Sequence, residues 1–261
     1  ALVVAETLSQ ALDAADAVQV DYEEQAAAPT VARALAKGAP ILHDAAPDNL
    51  ALDWAHGDAA AVDAAFQSAK HKVAVRLEDN RVAPSALEPR AASAAWDGKR
   101  YTLSVSTQGV ALVRKVLAEN VFQCPPETIR VLTHDVGGGF GMKVQTYAEY
   151  AALLAAAKKL GRPVHWCATR LESFLADTHG RDGILEGELA LDADGRFLAL
   201  RARTQVGIGA YASTYVAIVA TNNTKNCLSS VYRIPAIHVE AKMVLTNAAP
   251  LGPYRGAGRP E

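Results

Sequence analysis

Cysteine is scarce in this sequence. Cys124, Cys167 and Cys227 are the three, and they lie far apart. They form no Cys-x-x-Cys pair and no even-numbered framework, which argues against a disulfide scaffold and against a zinc or iron–sulfur site built from cysteine. Such usage fits a reducing, cytoplasmic compartment. An excess of one charge is also missing. Lys and Arg total 26 against 28 Asp and Glu, a formal charge of -2, so the chain lacks the basic footprint of a nucleic-acid binder. No apolar run approaches the roughly 18 residues that a membrane-spanning helix needs. The seven histidines include no H-x-x-x-H pair, and no G-x-S-x-G nucleophile elbow occurs. What is present is globular composition, with 50% apolar and 21% charged residues. The 261 residues suffice for one large domain or two small ones, at roughly 150 residues per domain.

Periodicity gives a mixed order of elements. Leu2–Val4 reads as a short strand, Leu8 to Ala15 as a helix, and Val18, Val20 and Tyr22 as a second strand. From 25 to 56 the pattern fades among Pro29, Pro40, Pro47 and Asn49, which predicts a linker or draped segment. Asp58 is a candidate N-cap for a helix from Ala59 to Ala69. Val73, Val75 and Leu77 alternate as in a strand. Asp97-Gly98 marks a tight turn between strands at 92–96 and 100–105. Val110, Val113, Leu117 and Val121 predict a helix that Pro125-Pro126 stops, followed by a strand over Ile129–Val136. A further helix carries Val144, Tyr147, Ala148, Ala151, Leu154 and Ala155 on one face, with Lys158, Lys159, Gly161 and Pro163 at its end. Residues 189–203 read as a hairpin around Asp192–Gly195, with Leu198, Leu200 and Ala202 on one face and Arg201 and Arg203 on the other. Strands and helices mix without strict βαβ alternation, so the expected fold class is α+β. The opening on Ala1 and the stop after a Gly/Arg-rich segment give the expectation of a piece of a longer chain, or of one subunit of a split one.

Three segments have the composition to carry chemistry. Asp135–Lys143 (DVGGGFGMK) follows a predicted strand. It breaks the P-loop pattern, because Met142 separates Gly141 from Lys143, and it lacks the third glycine of the dinucleotide fingerprint. Glycines that let a backbone come close, at the start of a helix with unpaired N–H groups, suit an anionic or oxo ligand. A tight turn packed on another backbone is the equal alternative. Ser106-Thr107-Gln108-Gly109 puts an amide at a strand end, where it serves a cleft or stands in an exposed loop. Gly252–Glu261 (GPYRGAGRPE) holds arginine forks around a glycine turn, suited to an oxyanion or simply solvated. Glu88-Pro89-Arg90 reads as an ion pair or a turn, and His179 as a structural histidine in a polar run.

In this order the three segments resemble the molybdenum hydroxylases, the family of xanthine dehydrogenase, aldehyde oxidase and aerobic carbon monoxide dehydrogenase. The stretch from Ala168-Thr169-Arg170 to Thr178-His179-Gly180-Arg181 is similar too, so the likeness covers nearly the whole chain and is strongest to the carbon monoxide dehydrogenase-like branch. The resemblance implies an N-terminal portion of the large subunit of an oxidoreductase. Residues 1–24 would end a small α/β (hammerhead-like) domain, 25–56 would link, and 57–261 would form the first part of a mixed α/β molybdopterin-binding domain. It implies molybdenum held by a pterin, in bacteria often the cytosine dinucleotide, with [2Fe–2S] clusters and FAD on partner subunits and no metal ligand from the chain itself. By motif, Gln108, Gly139, Phe140, Gly141 and Arg255 would bind the cofactor, while Val144 and Arg255 would face the substrate. The family reaction hydroxylates a carbon with oxygen from water. Its base, a glutamate, would fall beyond Glu261, so that this chain by itself would be inactive.

Two departures narrow the substrate. Gly256 stands where carbon monoxide oxidisers carry a copper-binding cysteine, and Val144 where purine hydroxylases carry a glutamate. An aldehyde or an N-heterocycle is the resulting expectation. The alternative of another class is a non-catalytic pterin- or phosphate-binding module or assembly subunit.

Overall fold

The computed structural model describes residues 1–259; Pro260 and Glu261, the end of the third motif, lie outside the described residues. The elements in chain order begin with α1 (Leu8–Asp16), α2 (Val31–Ala34), β1 (Leu50–Gly57), α3 (Ala59–Ser68) and β2 (His71–Asp79). There follow β3 (Ala91–Trp96), β4 (Tyr101–Val105), α4 (Val110–Lys115), β5 (Ile129–Leu132), α5 (Ala148–Leu160) and β6 (Val164–Cys167). The last group is α6 (Arg170–Ala176), β7 (Gly183–Leu191), β8 (Phe197–Gly209), α7 (Val216–Ile218) and β9 (Ala236–Leu245). The chain forms two compact units. Both sheets are mixed, and the α+β class holds.

The first unit comprises residues 1–26, 88–137 and 146–169. Its sheet runs β5-β4-β3-β6, with β4 and β5 parallel and the other pairs antiparallel. The β3–β4 hairpin turns at Asp97-Gly98 as expected: the Asp97 carboxylate accepts from the Lys99 and Arg100 amides at 2.9 and 2.7 Å. Those bonds hold the carboxyl below its ordinary pKa. Leu103, Val113 and Leu117 are fully buried, each worth about 1.5–3 kcal/mol relative to exposure. The predicted helix over 110–121 splits into α4 and a π-helical turn, Val116–Phe122, before Gln123 ends it in the left-handed region. β5 stops at Leu132, four residues short of the expected Val136. Its partner β4 ends at Val105, and the last pair of the ladder is Ser104–Leu132. The face of α5 also differs from the sequence pattern. Tyr150, Leu153, Leu154 and Ala157 are buried and Ala155 is exposed. In so alanine-rich a helix the two leucines and the tyrosine decide which side packs.

The two strands expected near the N-terminus do not form. α1 is present, capped by Thr7 in a capping box with Gln10, but residues 18–22 lie in no strand and Tyr22 is 85% exposed. Alternation alone makes no strand when nothing pairs with it. The Glu6 carboxylate pairs with Arg162 and ties this end to the first unit.

The second unit comprises residues 27–87, 138–145 and 170–261, and its sheet runs β1-β9-β8-β7-β2. The segment expected as a linker, 25–56, holds α2 and most of β1, because Ala28, Val31 and Ala34 bury against Val244 of β9. α3 starts where Asp58 caps it, accepting from the Ala61 amide at 2.9 Å, and it buries Val62 and Phe66 against Ala190 and Ala199. The β7–β8 hairpin has the expected faces. Arg201 lies over the Phe66 ring and pairs with Asp63 and Glu188, while Arg203 pairs with Glu240 at 3.0 Å. β2 lies at a sheet edge, and Val73, Val75 and Leu77 stay more than half exposed.

Candidate functional site

Within the second unit the glycine-rich loop and the Tyr-Arg turn are in contact. The Arg255 amide donates to the Phe140 carbonyl at 3.0 Å, and the Arg255 guanidinium lies 5.2 Å from the Phe140 ring centroid. Gly141 has φ +101° and sits against Pro253, where an added Cβ would lie 2.5 Å from the Pro253 oxygen. Only glycine allows that approach. The loop closes on itself through Met142 N–H to the Gly139 carbonyl at 2.9 Å and Val144 N–H to the Gly141 carbonyl at 3.3 Å. Val144 therefore ends a one-turn 3-10 helix, Met142–Val144, and α5 begins four residues later in the first unit. The expectation that the loop feeds a helix N-terminus is corrected: no long helix dipole stands behind these glycines. Among the described residues the Gly139 and Phe140 amides have no acceptor. Gly139 is buried, and an unmatched buried donor costs about 1–3 kcal/mol.

A third segment, 179–182, braces the Tyr-Arg turn from elsewhere in the same unit. The His179 amide donates to the Pro250 carbonyl at 3.0 Å and its carbonyl accepts from Gly252 at 2.7 Å. Gly180 lies under Tyr254, where an added Cβ would stand 2.3 Å from the Tyr254 Cβ. Arg181 Nη2 donates to the Arg255 carbonyl at 3.2 Å, its Nε lies 3.9 Å from the Asp79 carboxylate, and its guanidinium is 5.6 Å from the Tyr254 ring centroid. Burial raises the pKa of Asp79, and the charge of Arg181 opposes that. The Asp182 carboxylate takes Arg81 at 2.6 Å, and Arg81 also donates to the Ala249 and Gly207 carbonyls at 2.7 and 3.0 Å. On the far side of the turn, Asn223 and Thr224 donate to the Ala257 and Gly258 carbonyls at 2.8 and 3.0 Å. His179 is half-buried. Its Nε2 faces the Phe174 carbonyl at 3.1 Å, so Nε2 carries the proton, and its buried Nδ1 has no partner among the described residues. Burial holds its pKa below the ordinary value, which keeps the ring neutral near pH 7.

Backbone strain concentrates on these segments. Among the described residues seven non-glycines have positive φ, and Phe140, Arg181, Asp182 and Ala257 are four of them. Each costs on the order of 1–3 kcal/mol, and such residues cluster where a ligand or switch is held. Arg81 and Asp182 were not singled out by sequence, and Arg181 entered only as the end of the similar stretch Thr178-His179-Gly180-Arg181, with no role of its own. Arginine is not a residue that signals a left-handed corner, and Arg81 lies 101 positions from its partner Asp182.

The first unit holds Gln108, exposed in the loop after β4, where the Gly109 amide donates to the Thr107 hydroxyl at 3.1 Å. It also holds the start of the glycine motif. The Glu88 carboxylate accepts from the Gly137 amide at 2.7 Å, and the Glu88 amide donates to the Gly137 carbonyl at 3.1 Å. The fully buried Arg90 forks onto Glu149 at 2.9 and 3.1 Å and stacks 3.7 Å from the Tyr147 ring centroid. A cavity of about 200 Å³ in this unit is lined by Glu88, Ser106, His134, Asp135 and Trp166 among others. Among the described residues no cluster of histidine, cysteine and carboxylate side chains could hold a metal ion. Among the described residues no helix is long and apolar enough to cross a membrane.

The arrangement in the second unit therefore presents backbone donors, an exposed arginine fork and a strained, braced backbone. Residues 42–261 match the family model of the molybdopterin cofactor-binding domain. The chain belongs to that family. It is 32% identical over 266 residues to the carbon monoxide dehydrogenase large chain of Hydrogenophaga pseudoflava, covering 97% of this chain and 33% of that one. It is 32% identical over 264 residues to the nicotine 6-hydroxylase large subunit of Paenarthrobacter nicotinovorans, covering 98% and 32%. Among solved structures, quinoline 2-oxidoreductase from Pseudomonas putida 86 superposes with a TM-score of 0.88 at 34% identity, over 97% of this chain and 32% of the other. The chain thus spans about a third of the length of these relatives. The likeness that the three motifs carry in the sequence is a family relationship, to oxidoreductases of the molybdenum hydroxylase type.

Proposed function

We propose that this molybdopterin cofactor-binding domain supplies part of the cofactor site of a molybdenum hydroxylase large subunit. The observation that carries the reading is the pair of acceptorless amides at Gly139 and Phe140, beside the exposed Arg255 guanidinium. Donors fixed in a strained backbone and a planar cationic fork fit the oxo and phosphate oxygens of a pterin cofactor. In this reading the amides at Gly139, Phe140 and Gly141 face an oxygen ligand, Arg255 holds an anionic edge beside the substrate, and Gln108 donates its side-chain amide. Val144 shapes the substrate side. The bound group supplies the redox chemistry, and the chain supplies orientation and electrostatics.

The finer assignments follow the family pattern. The pterin is the cytosine dinucleotide form, with iron–sulfur and FAD partner subunits that carry electrons away and the remainder of the large subunit supplying the base. The assembly works in the cytoplasm. The substrate is an aldehyde or an N-heterocycle hydroxylated with oxygen from water. Gly256 in place of a cysteine speaks against copper-assisted carbon monoxide oxidation, and Val144 in place of a glutamate against a purine.

Elemental analysis and pterin fluorescence on the protein purified from its host, with whatever accompanies it, test this. Near-stoichiometric molybdenum and pterin are expected, and both should fall together in the Gln108→Ala, Arg255→Ala double variant. A folded wild-type protein free of both would sink the proposal.

A further inference from the structure

We propose that Arg181 is a positioning residue for the Tyr254–Arg255 turn, so that the direction of the Arg255 guanidinium toward an oxo- or phosphate-type anion is set by a side chain that does not touch the ligand. The inference rests on the reading above that this turn faces the cofactor, and it names a regulator of that same site. Arg181 reaches the turn at two points, the Arg255 carbonyl at 3.2 Å and the face of the Tyr254 ring. Its own place is fixed in turn. Arg181 and Asp182 are consecutive non-glycine residues at φ +67° and +66°. A corner of this kind persists only where the surroundings over-determine it. Here the Asp182 carboxylate locks onto Arg81, the Asp182 carbonyl accepts from Gly207 at 2.9 Å, and Asp79 faces the Arg181 Nε. Arg81 also holds the Ala249 carbonyl, just ahead of the turn, so the corner and the approach to the turn share one clamp.

The Arg255 carbonyl and amide are then held from two directions, by Arg181 and by the Phe140 carbonyl. The two peptide planes that flank the Arg255 Cα are thus each held by one bond, and the side chain leaves the Cα along a fixed Cα–Cβ line. Lysine at 181 keeps the charge but not the planar fork that spans carbonyl and ring. Methionine keeps much of the bulk and loses the donor.

The test uses the protein purified from its host with its accompanying subunits. Arg181→Met and Arg181→Lys are compared with wild type and with Arg196→Met, whose arginine lies in an exposed hairpin turn. Three readouts are taken: pterin per chain, the molybdenum(V) electron paramagnetic resonance spectrum, and amide hydrogen exchange. The Arg255 and Ala257 amides bond to Phe140 and Tyr254, and so report the turn. For Arg181→Met these two amides should exchange about tenfold faster, pterin per chain should fall about tenfold, and whatever spectrum remains should shift. Arg181→Lys should fall between, and it carries the test if the methionine variant does not fold. Wild-type exchange at both amides in the variants would overturn the proposal, as would unchanged pterin content with an unchanged spectrum. If wild type itself holds no pterin, the cofactor reading fails, and the exchange measurement alone decides whether Arg181 positions the turn.

Discussion

Gly141 shows how much one missing side chain decides. Its backbone is left-handed, and a Cβ there would meet the Pro253 carbonyl at 2.5 Å, so both conformation and space demand glycine. Gly38 separates the two effects, since its φ is +78° but nothing lies within 4 Å of an added Cβ. Gly38→Ala should cost about 1 kcal/mol, from the backbone alone. Gly141→Ala should cost about 2–3 kcal/mol and should also part the glycine-rich loop from the Tyr-Arg turn. Denaturant unfolding measures both variants, and pterin content should drop only for Gly141→Ala. Equal stability losses would show that Pro253 yields and that the close approach is dispensable. The sequence marks Gly141 by its company in GGGFG, but not the partner that requires it. Pro253 lies 112 positions away, and no local pattern encodes a contact of that span. Arg181 is less legible still, because its left-handed backbone runs against the preference of its own side chain and is imposed by the clamp around it.

At the scale of elements, the pairing of Arg90 with α5 offers a test in which pH does the work. Burial acts to raise the Glu149 pKa, but the two hydrogen bonds and the charge of Arg90 outweigh it, and the net value lies below that of an ordinary glutamate. A carboxylate with a depressed folded-state pKa stabilises the fold above its unfolded value. That stability is present above about pH 4.3 and is lost as pH falls through the lower folded value. Glu149→Gln should therefore destabilise the first unit by about 3 kcal/mol near neutrality, since it takes from a fully buried guanidinium the carboxylate onto which it forks. The deficit should shrink in acid. Thermal melts of both proteins between pH 3 and 7 report it, and parallel pH profiles would refute it. Elements whose signals are local were legible in advance: Asp58 capping α3, Asp97-Gly98 turning β3 into β4, and the alternating faces of β8. Elements that depend on a partner were not. Val18–Tyr22 alternates but forms no strand, while the proline-punctuated stretch before Gly57 yields a strand because β9 is there to receive it.

At the scale of the whole molecule, one surface is out of keeping with a chain that stands by itself. Val73, Val75 and Leu77 of the edge strand are 58%, 51% and 55% exposed. They pair across the ladder with Leu189, Gly187 and Leu185, which places two more leucines on the same face. Soluble proteins blunt an edge strand with charge, a bulge or a cover. Here Lys72, Arg76 and Glu78 take the alternate positions and leave this face apolar. A row of branched side chains beside an open strand edge favours association through burial of that area and through added ladder bonds. The 261-residue chain expressed by itself should therefore self-associate at micromolar concentration, with a sedimentation profile that broadens as concentration rises. Val75→Lys should restore a sharp monomer boundary. The change places a charge in the middle of the row, where Gly187 opposite leaves room for the longer side chain to lean toward solvent. Salt separates the two contributions, because it screens the new lysines but strengthens apolar association. A wild-type chain that sediments as one sharp monomer at every concentration would mean that the exposed row is too narrow to drive contact.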